Sequence, residues 1–173
     1  MFKLIQVFLF ISLPALSGYL QSVAQPLVLP FPADDVKLNP SWIKQRETLN
    51  TAYLHQLDPE RLLHNFRVNA GFPSPVKPLE GWESPDCGLR GHFTGHYLSA
   101  CATVIKNEGD SLLAKRIGYM IKVLAECQQK LGGKYLSAFP EADFDTLEKK
   151  YGGVWAPYYT FHKIYGVYAT IRN

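Results

Sequence analysis

Two histidines four residues apart are the side chains of this sequence best placed to act together chemically. His92 and His96 lie in LRGHFTGHYLSACA (89–102), a pattern that predicts a helix. Residues i and i+4 share one helix face, so the two imidazoles should point the same way. The loop before the helix contributes Trp82, whose ring can lie flat against a ligand. This combination suits a sugar pocket or a metal site.

The spacing of the two histidines leaves three interpretations open. Zinc metalloproteases use the same spacing, but Phe93 follows His92 where their general-base glutamate would stand. A histidine–metal hydrolase would need a third ligand, such as His162 or Glu141. The second interpretation is hydrogen bonding to sugar hydroxyls, and the third is a structural role in which backbone carbonyls satisfy the imidazoles.

Further polar and aromatic residues favour the sugar interpretation. Two loops contain acidic residues, namely Glu80, Glu83, Asp86, Glu141, Asp143 and Asp145. Glycoside hydrolysis usually needs two carboxyl groups roughly 5 to 10 Å apart. Most loop acids are solvated, so none is assigned a catalytic role. His162 begins the last predicted helix, after a Trp/Tyr-rich turn, and would share a pocket mouth with His92 if both helices point their N-termini the same way. The predicted sugar-binding residues are His162, His92, His96, Trp82, Trp155, Tyr158 and Glu141.

Helix signals dominate the mature chain and predict an all-α fold built from helical hairpins. Asn39 or Ser41 can cap a helix to Leu57, and Asp58 caps a second. Helices are also predicted from about Leu89 to Lys106, from Asp110 or Ser111 to the glycines at 132–133, from Phe144 to Tyr151, and around His162. Seven Gly and Pro residues between 70 and 88 predict a long irregular loop.

The N-terminal segment of the sequence predicts where the protein is located, and its net charge limits the partners that it can be expected to bind. Lys3, the apolar run 4–16 and the small residues at 22–24 predict a secretory signal peptide over 1–24, followed by an extended lead-in over 25–40. The run is shorter than the ~20 residues that span a bilayer. We therefore expect a secreted or periplasmic protein with no membrane span after signal cleavage. A net charge of +3 without a basic cluster gives no argument for nucleic acid.

The three cysteines form no C-x-x-C pair, so they do not predict a zinc site by themselves. Cys101 and Cys127 fall on apolar helical faces and are expected to be buried. Cys87 falls in the loop.

Six ordered segments resemble the N-terminal part of the beta-L-arabinofuranosidase family, glycoside hydrolase family 127. They are YLHQLDPERLLHNFR (53–67), GW (81–82), LRGHFTGHYLSA (89–100), LAECQ (124–128), YLSAFPEADFD (135–145) and WAPYYTFHKI (155–164). The resemblance runs from about Val36 to the end. It implies that residues 41–173 are part of an (α/α)6 toroid, incomplete here, in a retaining hydrolase that removes terminal L-arabinofuranose from glycans.

The resemblance also implies site residues. His162 matches a histidine that lines the sugar pocket, and His92 and His96 match a motif near the same cavity. The family uses a cysteine nucleophile, bound with other cysteines and a glutamate around zinc, and a separate glutamate as acid/base. These lie after the matched segment, and Cys87, Cys101 and Cys127 match none of them. We therefore assign no catalytic residue or metal ligand and expect an N-terminal fragment that is inactive alone. A carbohydrate-binding helical module is the alternative.

Overall fold

The structure is a computed structural model that describes residues 31–32 and 35–172, with side chains described up to residue 166. This part of the chain contains helices and no β-strand. The predicted signal peptide lies outside the described residues, as does part of the lead-in. No helix in the described part is long and apolar enough to cross a membrane. The α-helices are α1 (Trp42–Gln56), α2 (Pro59–Asn69), α3 (His92–Glu108), α4 (Ser111–Lys130), α5 (Glu141–Lys150) and α6 (Pro157–Arg172).

Three of these helices begin where their local capping signals predict. The Ser41 hydroxyl accepts a hydrogen bond from the Lys44 N–H at the start of α1. Asp58 caps α2, with proline in the first turn. The Asp110 carboxylate accepts from two N–H groups of α4. Each cap satisfies backbone donors that have no partner within the helix.

Two other helix starts differ from the prediction. α3 begins at His92, three residues later than Leu89, because residues 87–91 form turns and Gly91 has a φ of +89°. α5 begins at Glu141 rather than Phe144, because Pro140 is extended and acidic side chains fill the first turn. Acidic residues there are favourable because the helix dipole is positive at its N-terminus.

The core lies between α2, α3 and α4. α3 and α4 form the predicted hairpin, joined by Gly109 and Asp110. Cys101 and Cys127 are fully buried, as predicted. The largest fully buried side chains of this core are Leu63, Phe66, Tyr97, Leu113 and Met120.

α6 packs against α3 in a parallel orientation. The Thr160 hydroxyl donates to the Leu89 carbonyl at 3.3 Å, and further along both helices Gly95 lies against the backbone of Lys163. A Cβ on Gly95 would stand 2.3 Å from the Lys163 carbonyl oxygen, so only glycine permits this approach. The N-termini of α3 and α6 therefore lie at the same end, as the shared-mouth prediction required.

Two asparagines of α2 fix the irregular segments on either side of the α3–α4 hairpin. The Asn65 amide donates to the Glu83 carbonyl at 2.8 Å. The Asn69 amide donates to the carbonyls of Ser137 and Phe139 at 3.0 and 2.8 Å. The predicted loop before α3 is thus irregular but anchored, and its 3-10 turn (Gly81–Glu83) lies beside the start of α3.

Candidate functional site

The His92 ring at the start of α3 is buried and held in one orientation. Its Nδ1 lies 2.6 Å from Glu83 Oε1 and 2.8 Å from the Leu89 carbonyl oxygen. Both oxygens accept hydrogen bonds, so Nδ1 must carry the proton. In the neutral ring Nε2 then has a lone pair and can accept a hydrogen bond from a ligand hydroxyl.

Glu83 makes the contacts that fix this arrangement. Sequence reasoning named it among the loop acids near the start of this helix but gave it no role of its own. Its Oε2 accepts from the Gly91 N–H at 2.7 Å, and its Oε1 accepts from the Phe93 N–H at 2.8 Å. The cap residue of α3, Gly91, has no side chain that could do this. Only 7% of Glu83 is exposed, in contrast to the solvated state expected of a loop acid.

Burial and hydrogen bonding act in opposite directions on Glu83. Burial raises the pKa of its carboxyl group above the ordinary value, because charge is less stable away from water. The N–H groups of Phe93 and Gly91 and the His92 ring oppose that rise. A missing side-chain cap at a glycine, with an acid a few residues upstream, is the signal that could have found this residue.

Three further rings surround His92 and form, with it, the His92 cluster: Trp82, His92, His96 and Tyr159. The ring centroid of His92 lies 6.4 Å from that of Trp82, 5.9 Å from that of His96 and 6.1 Å from that of Tyr159. Trp82 and Tyr159 are exposed, whereas His92 is buried. The cluster is thus a buried imidazole flanked by accessible rings.

His96 and Lys163 set the charge at the edge of the cluster. The Lys163 ammonium lies 4.8 Å from the centroid of the Tyr159 ring, a cation–π contact between residues of α6. Partial burial lowers the pKa of His96, and the nearby Lys163 ammonium group lowers it further. His96 is therefore mostly neutral at pH 7 and able to exchange hydrogen bonds with hydroxyl groups.

The other predicted residues are distributed around α5 and α6. His162 is exposed, and Tyr159, three residues earlier, is the α6 side chain in ring contact with His92. The Trp155 side chain is exposed, and its backbone lies against Gly88. Tyr158 and Glu141 line a separate cavity of about 300 Å³ between α5 and α6. The structure thus brings His92, His96 and Trp82 together, and the sugar contacts of all seven residues stay predictions.

The described residues offer no set of ligands for the metal site that the histidine spacing could indicate. No three His, Cys, Asp or Glu side chains among those residues are arranged to hold a metal ion. His92 and His96 are therefore not joined there by His162 or Glu141 as a third ligand, and the histidine–metal hydrolase hypothesis is not supported.

The cysteines also do not fit the zinc centre that the resemblance implies. Cys101 and Cys127 are buried in α3 and α4, and burial raises the pKa of both thiols. Zinc binds the thiolate form, which such burial disfavours. Cys87 is partly exposed in the loop. No step of a reaction is therefore derived through zinc at these residues.

Comparisons with known proteins identify the family. A search of curated proteins gives no match to this chain. The family model described as beta-L-arabinofuranosidase, GH127 catalytic domain, matches residues 35–170, which is most of the sequence. The helical architecture agrees with part of the six-hairpin glycosidase fold that the resemblance implied. The chain therefore belongs to the GH127 beta-L-arabinofuranosidase family of glycoside hydrolase-like proteins, whose substrates are carbohydrates.

Proposed function

We propose that this chain is part of a secreted glycoside hydrolase that acts on terminal L-arabinofuranose, or a related sugar, of plant-type glycans, and that the His92 cluster binds the sugar. The observation that carries the proposal is the fixed tautomer of His92, in a chain of the GH127 family. Export rests on the sequence pattern of residues 1–24.

The chemistry of the cluster matches that of a furanose ring. A sugar presents hydroxyl groups, which donate and accept hydrogen bonds, and C–H groups, which pack on aromatic faces. The Nε2 of His92 can accept from a hydroxyl group, and His96 offers a second neutral imidazole beside it. Trp82 and Tyr159 provide exposed rings next to His92.

The described residues supply binding rather than bond cleavage. Both oxygens of Glu83 accept hydrogen bonds from N–H groups, so this carboxylate is not free to act as a nucleophile or an acid. The nucleophile, the acid/base and the zinc ligands that the family resemblance implies are not assigned to any residue described here. We accordingly propose that the 173-residue chain on its own binds the sugar without hydrolysing it.

The test is calorimetric titration of the secreted protein with methyl β-L-arabinofuranoside, with release of L-arabinose from an aryl β-L-arabinofuranoside measured in parallel. His92→Ala is expected to weaken sugar binding about tenfold, because it removes the acceptor on the buried side of the site. His64→Ala is the matched control, because His64 lies on α2, pairs with Ser74 of the following loop and is not a member of the His92 cluster. Its affinity should stay within about twofold of the unmodified protein.

Each outcome has a defined meaning. Absence of binding by the unmodified protein rejects the proposed substrate. Equal affinities for His92→Ala and His64→Ala reject the His92 cluster as the site. Weaker binding by His162→Ala with an unchanged melting temperature extends the site along α6, as the resemblance implies. Binding without turnover supports the carbohydrate-binding module over an enzyme active in this chain.

A further inference from the structure

We propose that Glu83 is the positioning residue of the sugar site, which caps α3 and in the same contact holds His92 as the Nδ1–H tautomer. The inference deepens the proposed function and rests on it for the role of His92 in sugar binding. The position of Glu83 relative to α3 and His92 is independent of that function.

Both oxygens of the Glu83 carboxylate accept hydrogen bonds from N–H groups of the protein. Three N–H donors converge on its two oxygens, at 2.7 Å from Gly91 and 2.8 and 2.6 Å from Phe93 and His92 Nδ1. Glu83 and His92 are each 7% exposed, so water cannot replace these bonds. Hydrogen bonds to an ionised acceptor are stronger than those between neutral groups.

Only a side chain whose two terminal atoms both accept hydrogen bonds can pair with all three of these N–H groups. A glutamine of the same shape would direct its NH₂ group at the Gly91 N–H or at the donors of Phe93 and His92. Two donors would then face each other without an acceptor, and one buried N–H would lose its partner. An aspartate is one methylene shorter and could not reach all three donors from the same turn.

The 3-10 turn Gly81–Glu83 carries both Glu83 and Trp82, the aromatic residue of this turn in the His92 cluster. Trp82 directly precedes Glu83, and the Asn65 amide holds the Glu83 carbonyl at 2.8 Å. A shift of this turn would therefore displace the Trp82 ring and release the His92 proton contact together. The other titratable groups near His92 are His96 on α3 and Tyr159 and Lys163 on α6. None of these is in hydrogen-bonding contact with Nδ1, whose described partners are Glu83 and Leu89.

The experiment measures the His92 tautomer directly, from the ring ¹⁵N shifts of uniformly labelled protein without sugar. In the unmodified protein we expect a protonated Nδ1 and an unprotonated Nε2. Glu83→Gln should convert His92 to a mixture of tautomers and weaken binding of methyl β-L-arabinofuranoside about tenfold. Glu80→Gln is the matched control, because Glu80 is exposed and pairs with Lys77 just before the turn. It should change neither readout.

The outcomes separate this inference from the proposed function. A lower melting temperature of Glu83→Gln with an unchanged tautomer and unchanged sugar affinity makes Glu83 a helix cap alone and overturns the inference. An Nε2–H tautomer in the unmodified protein overturns it even if Glu83→Gln fails to fold. The expected tautomer change without sugar binding by the unmodified protein supports the positioning contact and rejects the proposed function.

Discussion

Helices α3 and α4 are joined by only two residues, yet their N-termini are stabilised in different ways. α4 begins at its own cap: the Asp110 carboxylate accepts from the N–H groups of Leu112 and Leu113. α3 begins at a glycine and receives its cap from Glu83, eight residues upstream. Each cap also contacts an imidazole, because Asp110 Oδ2 lies 2.7 Å from His55 Nε2 of α1 and Glu83 Oε1 lies 2.6 Å from His92 Nδ1. The difference is that the acid capping α4 stands next to its helix in the sequence, whereas the acid capping α3 comes from a separate turn.

The glycines inside the two helices show the same difference. Gly95 of α3 lies against the Lys163 carbonyl of α6. Gly118 of α4 has no atom within 4 Å of the position that a Cβ would take. The two residues are alike in the sequence, but only one is required by a neighbouring helix.

The largest expected effect is that of Gly95→Ala. The new methyl group would overlap the α6 backbone, which cannot rotate away as a side chain can, so the free energy of unfolding should fall by about 3 kcal/mol or more. Gly118→Ala is the control and should raise it by about 0.5–1 kcal/mol, because alanine favours the helix. Urea denaturation of both variants measures the difference. A loss below about 1 kcal/mol for Gly95→Ala would mean that α6 does not cross α3 this closely.

A smaller effect is expected when the two caps are removed. Glu83→Ala leaves the N–H donors of Gly91 and Phe93 without a partner and leaves His92 Nδ1 with the Leu89 carbonyl alone, so it should cost about 2–4 kcal/mol. Asp110→Ala should cost less, because the groups that lose a partner, the Leu112 and Leu113 N–H groups and the His55 ring, lie nearer to water than those around Glu83. Hydrogen exchange of the Phe93 and Leu113 amides would locate each loss. Equal destabilisation by the two substitutions would remove the distinction between local and distant caps.

The smallest expected effect is that of the Lys163 ammonium group of α6 on the pKa of His96 in α3. Lys163→Gln should raise the pKa of His96, because the ammonium group that disfavours its protonation is gone, while the contribution of burial remains. Lys122→Gln on the exposed face of α4 is the charge-matched control. NMR titration of His96 in the two variants checks the direction, and a pKa unchanged by Lys163→Gln would place the ammonium too far away to act.

The sign of the accompanying stability change follows from linkage. The pKa of His96 is lower in the folded than in the unfolded protein, so acidification protonates the unfolded state first. The contribution of neutral His96 to the free energy of unfolding is complete above the ordinary histidine pKa, and it is lost as the pH falls toward the lower pKa of His96 in the folded protein. Lys163→Gln raises the folded-state pKa and so brings the two pKa values closer together. The stability lost between pH 7.5 and pH 5.5 should therefore be smaller than in the Lys122→Gln control.

Sequence reasoning predicted the features that local physics decides. Ser41, Asp58 and Asp110 cap helices because their side-chain oxygens reach N–H groups two or three residues ahead. The burial of Cys101 and Cys127 followed from apolar periodicity. The all-α class was likewise confirmed, and α3 and α6 run parallel, which was the condition for a shared pocket mouth.

Features that depend on tertiary contacts were not predicted. The role of Glu83 is visible only once the loop is folded against α3, and the start of α3 moved to His92 for the same reason. His162 was the leading candidate on α6, but Tyr159 is the residue beside His92. Residues three apart on a helix differ by about 60° in direction, and the sequence does not fix which of them faces a neighbour.

The packing of α6 on α3 also bears on the order in which the protein folds. The hydrogen bond between Leu89 and Thr160 joins residues 71 positions apart, whereas the α3–α4 hairpin closes across two. Contacts between distant residues form later, because loop closure costs more entropy as the intervening chain lengthens. During synthesis, α3 and α4 are also made before α6. We therefore expect Tyr159 to join the His92 cluster late in folding, after the core that supports it.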